Sequence, residues 1–218
     1  MKRTLSAILC LVMILSVALC MTACGGDSKG KETLVGTWRA HWDMGTILNE
    51  AIGESMADAG MDNCFDFTGV TVDLVFEFTE EGKAKLSTDE DTVEDCADAL
   101  VEELIDGFKK YFEENSELTG GMSLEDLVAA SGMTMEEFVN SALGSTKEEL
   151  ITSMTVDVAN EGYYKLDGNK LYIENDKEDL EDSDDYQEVE LNGDTLIVTI
   201  DEDTTGISEI KLTFKREK

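Results

Sequence analysis

The sequence contains no proline, only one histidine and few basic residues. Histidine is the usual general base near neutral pH and a frequent metal ligand, so standard catalytic and metal sites are hard to build around His41 alone. We therefore expect no enzymatic activity, no cofactor and no metal site. Because proline is absent, every turn must be formed by glycine, asparagine or aspartate.

Positive charge is scarce throughout the chain. The 218 residues include 17 Lys and Arg against 49 Asp and Glu, giving a net charge of −32. A protein this acidic repels phosphate backbones and anionic lipid headgroups, which excludes sequence-independent nucleic-acid binding and polybasic membrane docking as its main functions. Hydrophobic residues make up 42% of the chain, enough for one packed domain, with room for an appended subdomain.

The N-terminal segment has the pattern of a secretory signal. Lys2 and Arg3 precede an uncharged apolar run over residues 5–21, and small residues follow. The run approaches transmembrane length, so an uncleaved membrane anchor is the alternative.

Met21-Thr22-Ala23-Cys24 resembles the lipobox of bacterial lipoproteins, in which the cysteine becomes the lipidated first residue. This resemblance implies a signal peptide over 1–23, and a lipidated Cys24 with a flexible tether over 24–33. The partner is then the cell membrane, reached through the lipid, with the domain of residues 34–218 on the extracytoplasmic face.

Alternating apolar and polar residues predict about eight strands in the rest of the chain. They lie at 34–43, 70–79, 83–88, 163–166, 170–174, 186–191, 195–200 and 207–216. Between the third and fourth strands, residues 92–154 show helical spacing and predict a helical insertion. Tight turns join most strands, with Asn192-Gly193 as the strongest hairpin signal. The fold class predicted is α+β: an antiparallel up-and-down β-barrel or strongly curved meander with this insertion.

Gly36-Thr37-Trp38 on the first strand resembles the Gly-x-Trp signature of lipocalins. Arg216 ends the last strand where that family has a basic residue over the tryptophan, and period two places it on the apolar face. The resemblance implies a barrel closed by Gly36, Trp38 and Arg216. Lys215 is the alternative donor if the register shifts by one residue.

The resemblance also implies that the barrel binds a small apolar ligand or an envelope component. The residues we expect to line that ligand are Trp42, Phe76 and Phe78. The alternative function is a protein-interaction module that acts through its helical insertion. The sequence leaves the oligomeric state open.

Cys64 and Cys96 remain if Cys24 is lipidated, and exported chains often pair such thiols. We expect a disulfide between them. The alternative is two separate buried thiols, because Cys96 lies on an apolar helical stripe.

The acidic run 176–185 offers many oxygen atoms but lacks the spacing of a calcium loop. A solvated loop is the simpler interpretation. His41 is expected to be a surface residue.

Overall fold

The strands of the protein form a closed antiparallel barrel of eight strands. The computed structural model describes residues 34–57, 60–61, 63–117, 120–155, 161–200 and 209–218. The strands are β1 (Gly36–Asp43), β2 (Thr71–Phe78), β3 (Lys83–Thr88), β4 (Gly162–Asp167), β5 (Lys170–Glu174), β6 (Gln187–Asn192), β7 (Thr195–Ile200) and β8 (Ile210–Arg216). Each strand pairs with its neighbours in chain order, and β1 pairs with β8. The predicted up-and-down barrel is confirmed.

The helices of the insertion lie between β3 and β4, as the sequence predicts. A further helix connects β1 to β2. In chain order the helices are α1 (Gly45–Ala57), α2 (Glu90–Glu114), α3 (Leu124–Ser131), α4 (Met135–Leu143) and α5 (Lys147–Met154).

The described residues fall into two compact units. The barrel unit includes residues 34–42, Asp73–Glu90 and the described part of Thr155–Lys218. The helical unit includes the described residues of Asp43–Val72 and Asp91–Met154.

Period two decides which side chains fill the barrel. On β2 and β8 every second residue is buried, and on β1 Trp38, Ala40 and Trp42 are buried in the same alternation. The paired residues Leu196 and Phe214 are both almost fully buried. One face of each of these strands therefore forms the apolar interior, and the other face bears most of the charge.

The turn between β6 and β7 is one residue shorter than the Asn192-Gly193-Asp194 turn predicted from the sequence. Asn192 is the last residue of β6 and pairs with Thr195, so the turn consists of Gly193 and Asp194. Gly193 has φ 61°, which glycine adopts without steric cost. Glycine at the first central position is typical of a type II′ hairpin turn, which matches the twist of the strands.

Capping side chains set the limits of the short helices. The Ser123 side chain accepts from the Asp126 amide at the start of α3. Thr134 and Glu137 form a reciprocal capping box at the start of α4, worth about 1 kcal/mol. A similar box at Thr146 and Glu149, unforeseen from the sequence, begins α5.

In the sequence, Leu150 and Ile151 are the clear apolar anchors of residues 146–154, the last helical stretch of the insertion. Leu150 is buried as predicted, but Met154 is the second buried residue of α5 and Ile151 is only half-buried. Residues four apart share one helical face, whereas Ile151 follows Leu150 directly and is rotated away.

No disulfide joins Cys64 and Cys96, so the expected pairing is wrong and the alternative of two buried thiols holds. Cys96 lies on the buried stripe of α2 together with Val93, Ala97 and Leu100. Its side chain is directed into the helical core, where burial raises the pKa of the thiol to about 11.

The expected signal peptide, the tether and Cys24 lie outside the described residues. Within the described ranges, no helix is both long and apolar enough to cross a membrane.

Candidate functional site

The barrel is closed by Trp38 on β1 and Arg216 on β8, which are paired across the two strands. The guanidinium carbon of Arg216 lies 4.2 Å from the centre of the Trp38 ring. Trp38 is fully buried, whereas a quarter of the Arg216 side chain remains exposed. A guanidinium stacked on indole in this way is attracted by the electron-rich ring face. Lys215 faces outward and donates to the Thr195 hydroxyl.

Main-chain carbonyls just before β1 complete this closure. Trp38 Nε1 donates to the Leu34 carbonyl at 2.7 Å, and Arg216 donates to the Val35 carbonyl. Both polar groups are therefore satisfied within the closed end, which removes the cost of burying them unpaired. The sequence did not identify these two acceptors, because main-chain carbonyls leave no signature in residue types.

Gly36 lies under the Arg216 side chain and has φ 130°, a backbone conformation that L side chains rarely adopt. A Cβ at this position would lie 3.5 Å from a guanidinium nitrogen, an ordinary van der Waals contact, so the backbone conformation is what requires glycine. The glycine of the Gly-x-Trp motif thus lets residues 34–35 turn across the barrel end and bring their carbonyls to Trp38 and Arg216.

Aromatic side chains occupy much of the barrel interior. The Phe76 and Phe78 ring centres are 4.3 Å apart, and Phe76 lies 5.9 Å from Phe214. Phe78 meets Tyr164 edge to face at 4.8 Å. Burial raises the pKa of the Tyr164 hydroxyl to about 12, so this ring presents a neutral group to the interior at physiological pH.

The three side chains expected to line a ligand, Trp42, Phe76 and Phe78, are all buried in the barrel unit. Phe76 and Phe78 contact each other, whereas Trp42 lies at the opposite end of β1 from the Trp38 closure. The two phenylalanines thus belong to one aromatic group, and Trp42 stands apart from the closed end.

Arg39 is the centre of an ion network on the outer face of the barrel. Its guanidinium donates to Glu217 at 2.7 Å, to Asp89 at 2.8 Å and to Asp73 at 3.2 Å. These bonds, led by the one to Glu217, raise the pKa of Arg39. His41 lies 2.7 Å from Asp73 and its side chain is 71% exposed, so it is a surface residue. The network ties residues from β1, from β2, from the end of β3 and from the C-terminus.

A buried polar group on the β4–β5 hairpin was not foreseen. Lys165, Glu174 and Ser183 are each at most 8% exposed, and Ser183 donates to Glu174 at 2.8 Å. The Lys165 ammonium lies 4.4 Å from the centre of the Tyr172 ring, and it has no hydrogen-bond partner among the described atoms. The alternation of side chains along β4 and β5 places Lys165 and Glu174 on the outward face of the sheet, which predicts that water surrounds both side chains.

The acidic run 176–185 causes that burial and is not simply a solvated loop. A short 3₁₀ turn, Asp179–Glu181, packs on β4 and β5 and buries Leu180. All seven carboxylates of the run are nevertheless exposed. Among the described residues no group of three or more His, Cys, Asp or Glu side chains is arranged to hold a metal ion.

Comparison of the chain with family models, curated proteins and solved structures gives no match.

Proposed function

We propose that the chain is a lipid-anchored, extracytoplasmic lipocalin-like protein whose barrel binds a small apolar ligand. The observation that carries this proposal is the closed barrel with an apolar, aromatic interior. Small antiparallel barrels are the right size to hold one small ligand, and apolar pockets with few polar groups bind such molecules well.

The geometry of the closed end supports the lipocalin-like assignment. The resemblance implied a basic side chain over the tryptophan, and Arg216 lies over Trp38 with Gly36 beneath it. Because Trp38, Arg216 and the carbonyls of 34–35 fill this end, the ligand enters from the other end of the strands, where Trp42 lies.

The anchor is supported by the lipobox-like residues alone. Lipidation of Cys24 would place the barrel at a membrane surface without any protein–lipid contact. This position suits a protein that takes up an apolar molecule from the envelope. The acidic surface then limits adhesion of the protein to anionic lipid.

Binding can be tested with the dye N-phenyl-1-naphthylamine, whose fluorescence rises in an apolar site. Ala40 lies on the interior face of β1 and is 1% exposed, so Ala40→Leu fills interior space. The matched control is Thr213→Leu, which adds the same side chain on the exposed face of β8. We expect the first variant to lose dye binding and the control to keep it.

A third variant covers the case in which Ala40→Leu does not fold. Phe76→Leu removes part of a ring from the aromatic group, enlarges the interior and should increase the amount of dye bound. Equal dye binding by the wild-type chain and both interior variants would show that the dye does not enter the barrel, and would overturn the proposal.

A further inference from the structure

One apolar cluster of the helical unit has a wide half-buried margin. Phe108, Leu124 and Val128 are the buried centre of this cluster. The half-buried apolar side chains around them are Met61, Phe65, Phe112, Met133, Met135, Phe138 and Ala142. We call these seven side chains the apolar margin. Apolar groups left partly in water at this density mark a surface able to bury them against a partner.

The chemistry of the apolar margin is adaptable. Three of its seven members are methionines, whose flexible and polarisable side chains fit differently shaped apolar partners. The phenylalanines are held in place: Phe65 and Phe138 each meet Phe108 edge to face, at 5.3 and 5.2 Å. Gly107 permits this packing, since a Cβ there would lie 2.2 Å from the Phe65 ring.

Exposed carboxylates adjoin the apolar margin. Glu113 and Glu114 directly follow Phe112, and Glu136 and Glu137 lie between Met135 and Phe138; all four are exposed. The sequence from 91 to 154 contains 16 acidic and 3 basic residues, a net charge of 3 − 16 = −13. Two of the three lysines, Lys109 and Lys147, already contact carboxylates. The surface is thus both apolar and strongly negative.

We propose that the apolar margin is a docking surface for a basic, amphipathic helical segment of another protein. Such a segment places apolar side chains at helical spacing on one face, where they cover the methionines and phenylalanines. Its lysines and arginines on the flanks meet the glutamates around Phe112 and Phe138. This interaction goes beyond ligand binding in the barrel and does not depend on it.

The negative charge of the insertion argues against two other partners for the apolar margin, namely a second copy of the chain and an anionic membrane. A second copy of the chain would bring together two 91–154 segments, each of net charge −13, and like charges in contact cost free energy. Anionic lipid headgroups are repelled for the same reason.

The test is fluorescence anisotropy of a labelled leucine–lysine helical peptide of about 18 residues, five helical turns, with the full chain in non-ionic detergent. We expect binding that weakens as salt is raised, because the charge attraction is screened. The same peptide with glutamate in place of lysine is expected not to bind. Phe138→Gln should weaken binding about tenfold, and Ala130→Gln on the exposed side of α3 should not change it.

A second variant keeps the test decisive if Phe138→Gln unfolds. Glu113→Gln, Glu114→Gln and Glu136→Gln together leave the apolar side chains intact, and they should weaken binding and flatten its salt dependence. Equal binding of the lysine and glutamate peptides, or equal binding by the wild type and the charge variant, would refute the proposal. Self-association or binding to anionic vesicles that Phe138→Gln abolishes would assign the surface to those occupants instead.

Discussion

Replacing Arg216 by alanine should lower the free energy of unfolding of the barrel by about 2 kcal/mol. The guanidinium lies 4.2 Å from the centre of the Trp38 ring, a contact worth about 1 kcal/mol when partly exposed. Its charged hydrogen bond to the Val35 carbonyl adds about 1.5 kcal/mol. Ordering a long side chain offsets about 1 kcal/mol of this, and the packing of its methylene stem restores about half of that loss, which leaves about 2 kcal/mol.

The ion pair with Asp194 contributes little to this figure. Its atoms are 3.7 Å apart and the Asp194 side chain is 65% exposed, so solvent screens the attraction. The main loss therefore comes from the ring contact and the carbonyl that is left without its donor.

Tryptophan fluorescence during urea or thermal unfolding is the assay. Both tryptophans of the chain, Trp38 and Trp42, lie on β1, so the signal reports the barrel. A loss of about 2 kcal/mol corresponds to roughly 4–8 °C in Tm for a chain of this size. Arg216→Lys should be intermediate, because an ammonium keeps the charge but loses the planar stack.

Lys215→Ala is the matched control, one residue away and on the opposite face. Lys215 makes an exposed hydrogen bond to Thr195, and its removal should change stability by less than about 0.5 kcal/mol. Equal losses in Arg216→Ala and Lys215→Ala would refute the reasoning that the guanidinium closes the barrel.

Four further outcomes are expected. Gly36→Ala should cost about 1–3 kcal/mol in the same fluorescence assay, because φ is 130° at that position; an unchanged midpoint would contradict this. Cys24→Ala should abolish incorporation of an alkyne fatty acid, and continued labelling would refute the lipobox interpretation. The intact mass should be the same before and after reduction, since no disulfide joins Cys64 and Cys96; a mass lower by two hydrogens before reduction would disprove the absence of the bond. Cys96 should also alkylate slowly at about pH 8, because its raised pKa leaves little thiolate. Burial raises the pKa of Tyr164 from 10.0 to about 12, so this residue favours folding fully below pH 10 and loses that contribution as pH rises toward 12; Tyr164→Phe should flatten the pH dependence of stability in that range.

The strands and the closing pair were predictable because they depend on a simple alternation. In a barrel one face of every strand is buried, so apolar residues recur at period two on β2 and β8. A one-residue shift would expose the whole set, which fixes the register. An up-and-down order then brings β1 and β8 together, and Trp38 opposite Arg216 follows from the counting.

Features that depend on distant segments were not predictable. Lys165 and Glu174 have the positions of solvated residues on β4 and β5, yet the 3₁₀ turn after β5 covers them. Nothing in the alternation shows where a loop will fold back. The same holds for Arg39, whose carboxylate partners Asp89 and Glu217 come from 50 and 178 residues away.

The disulfide expectation failed for a related reason. Counting cysteines shows which residues could pair, but the distance and orientation of their side chains decide whether they do. The helical spacing that buries Cys96 among Val93, Ala97 and Leu100 already showed where its side chain is directed. The helical spacing around Cys96 therefore predicted its buried position more reliably than the cysteine count predicted a disulfide.

The pairing of β1 with β8 also has a consequence for how the barrel is made. Trp38 on β1 meets Arg216 on β8, so the first and last strands of the barrel pair with each other. A nascent chain from which β8 has not yet emerged therefore cannot complete the hydrogen-bonded ring. Until β8 is available, β1 and β7 each have an open edge, and open edges are templates for aggregation. The ring closes through the most distant contact in the sheet, which makes closure a slow step in folding.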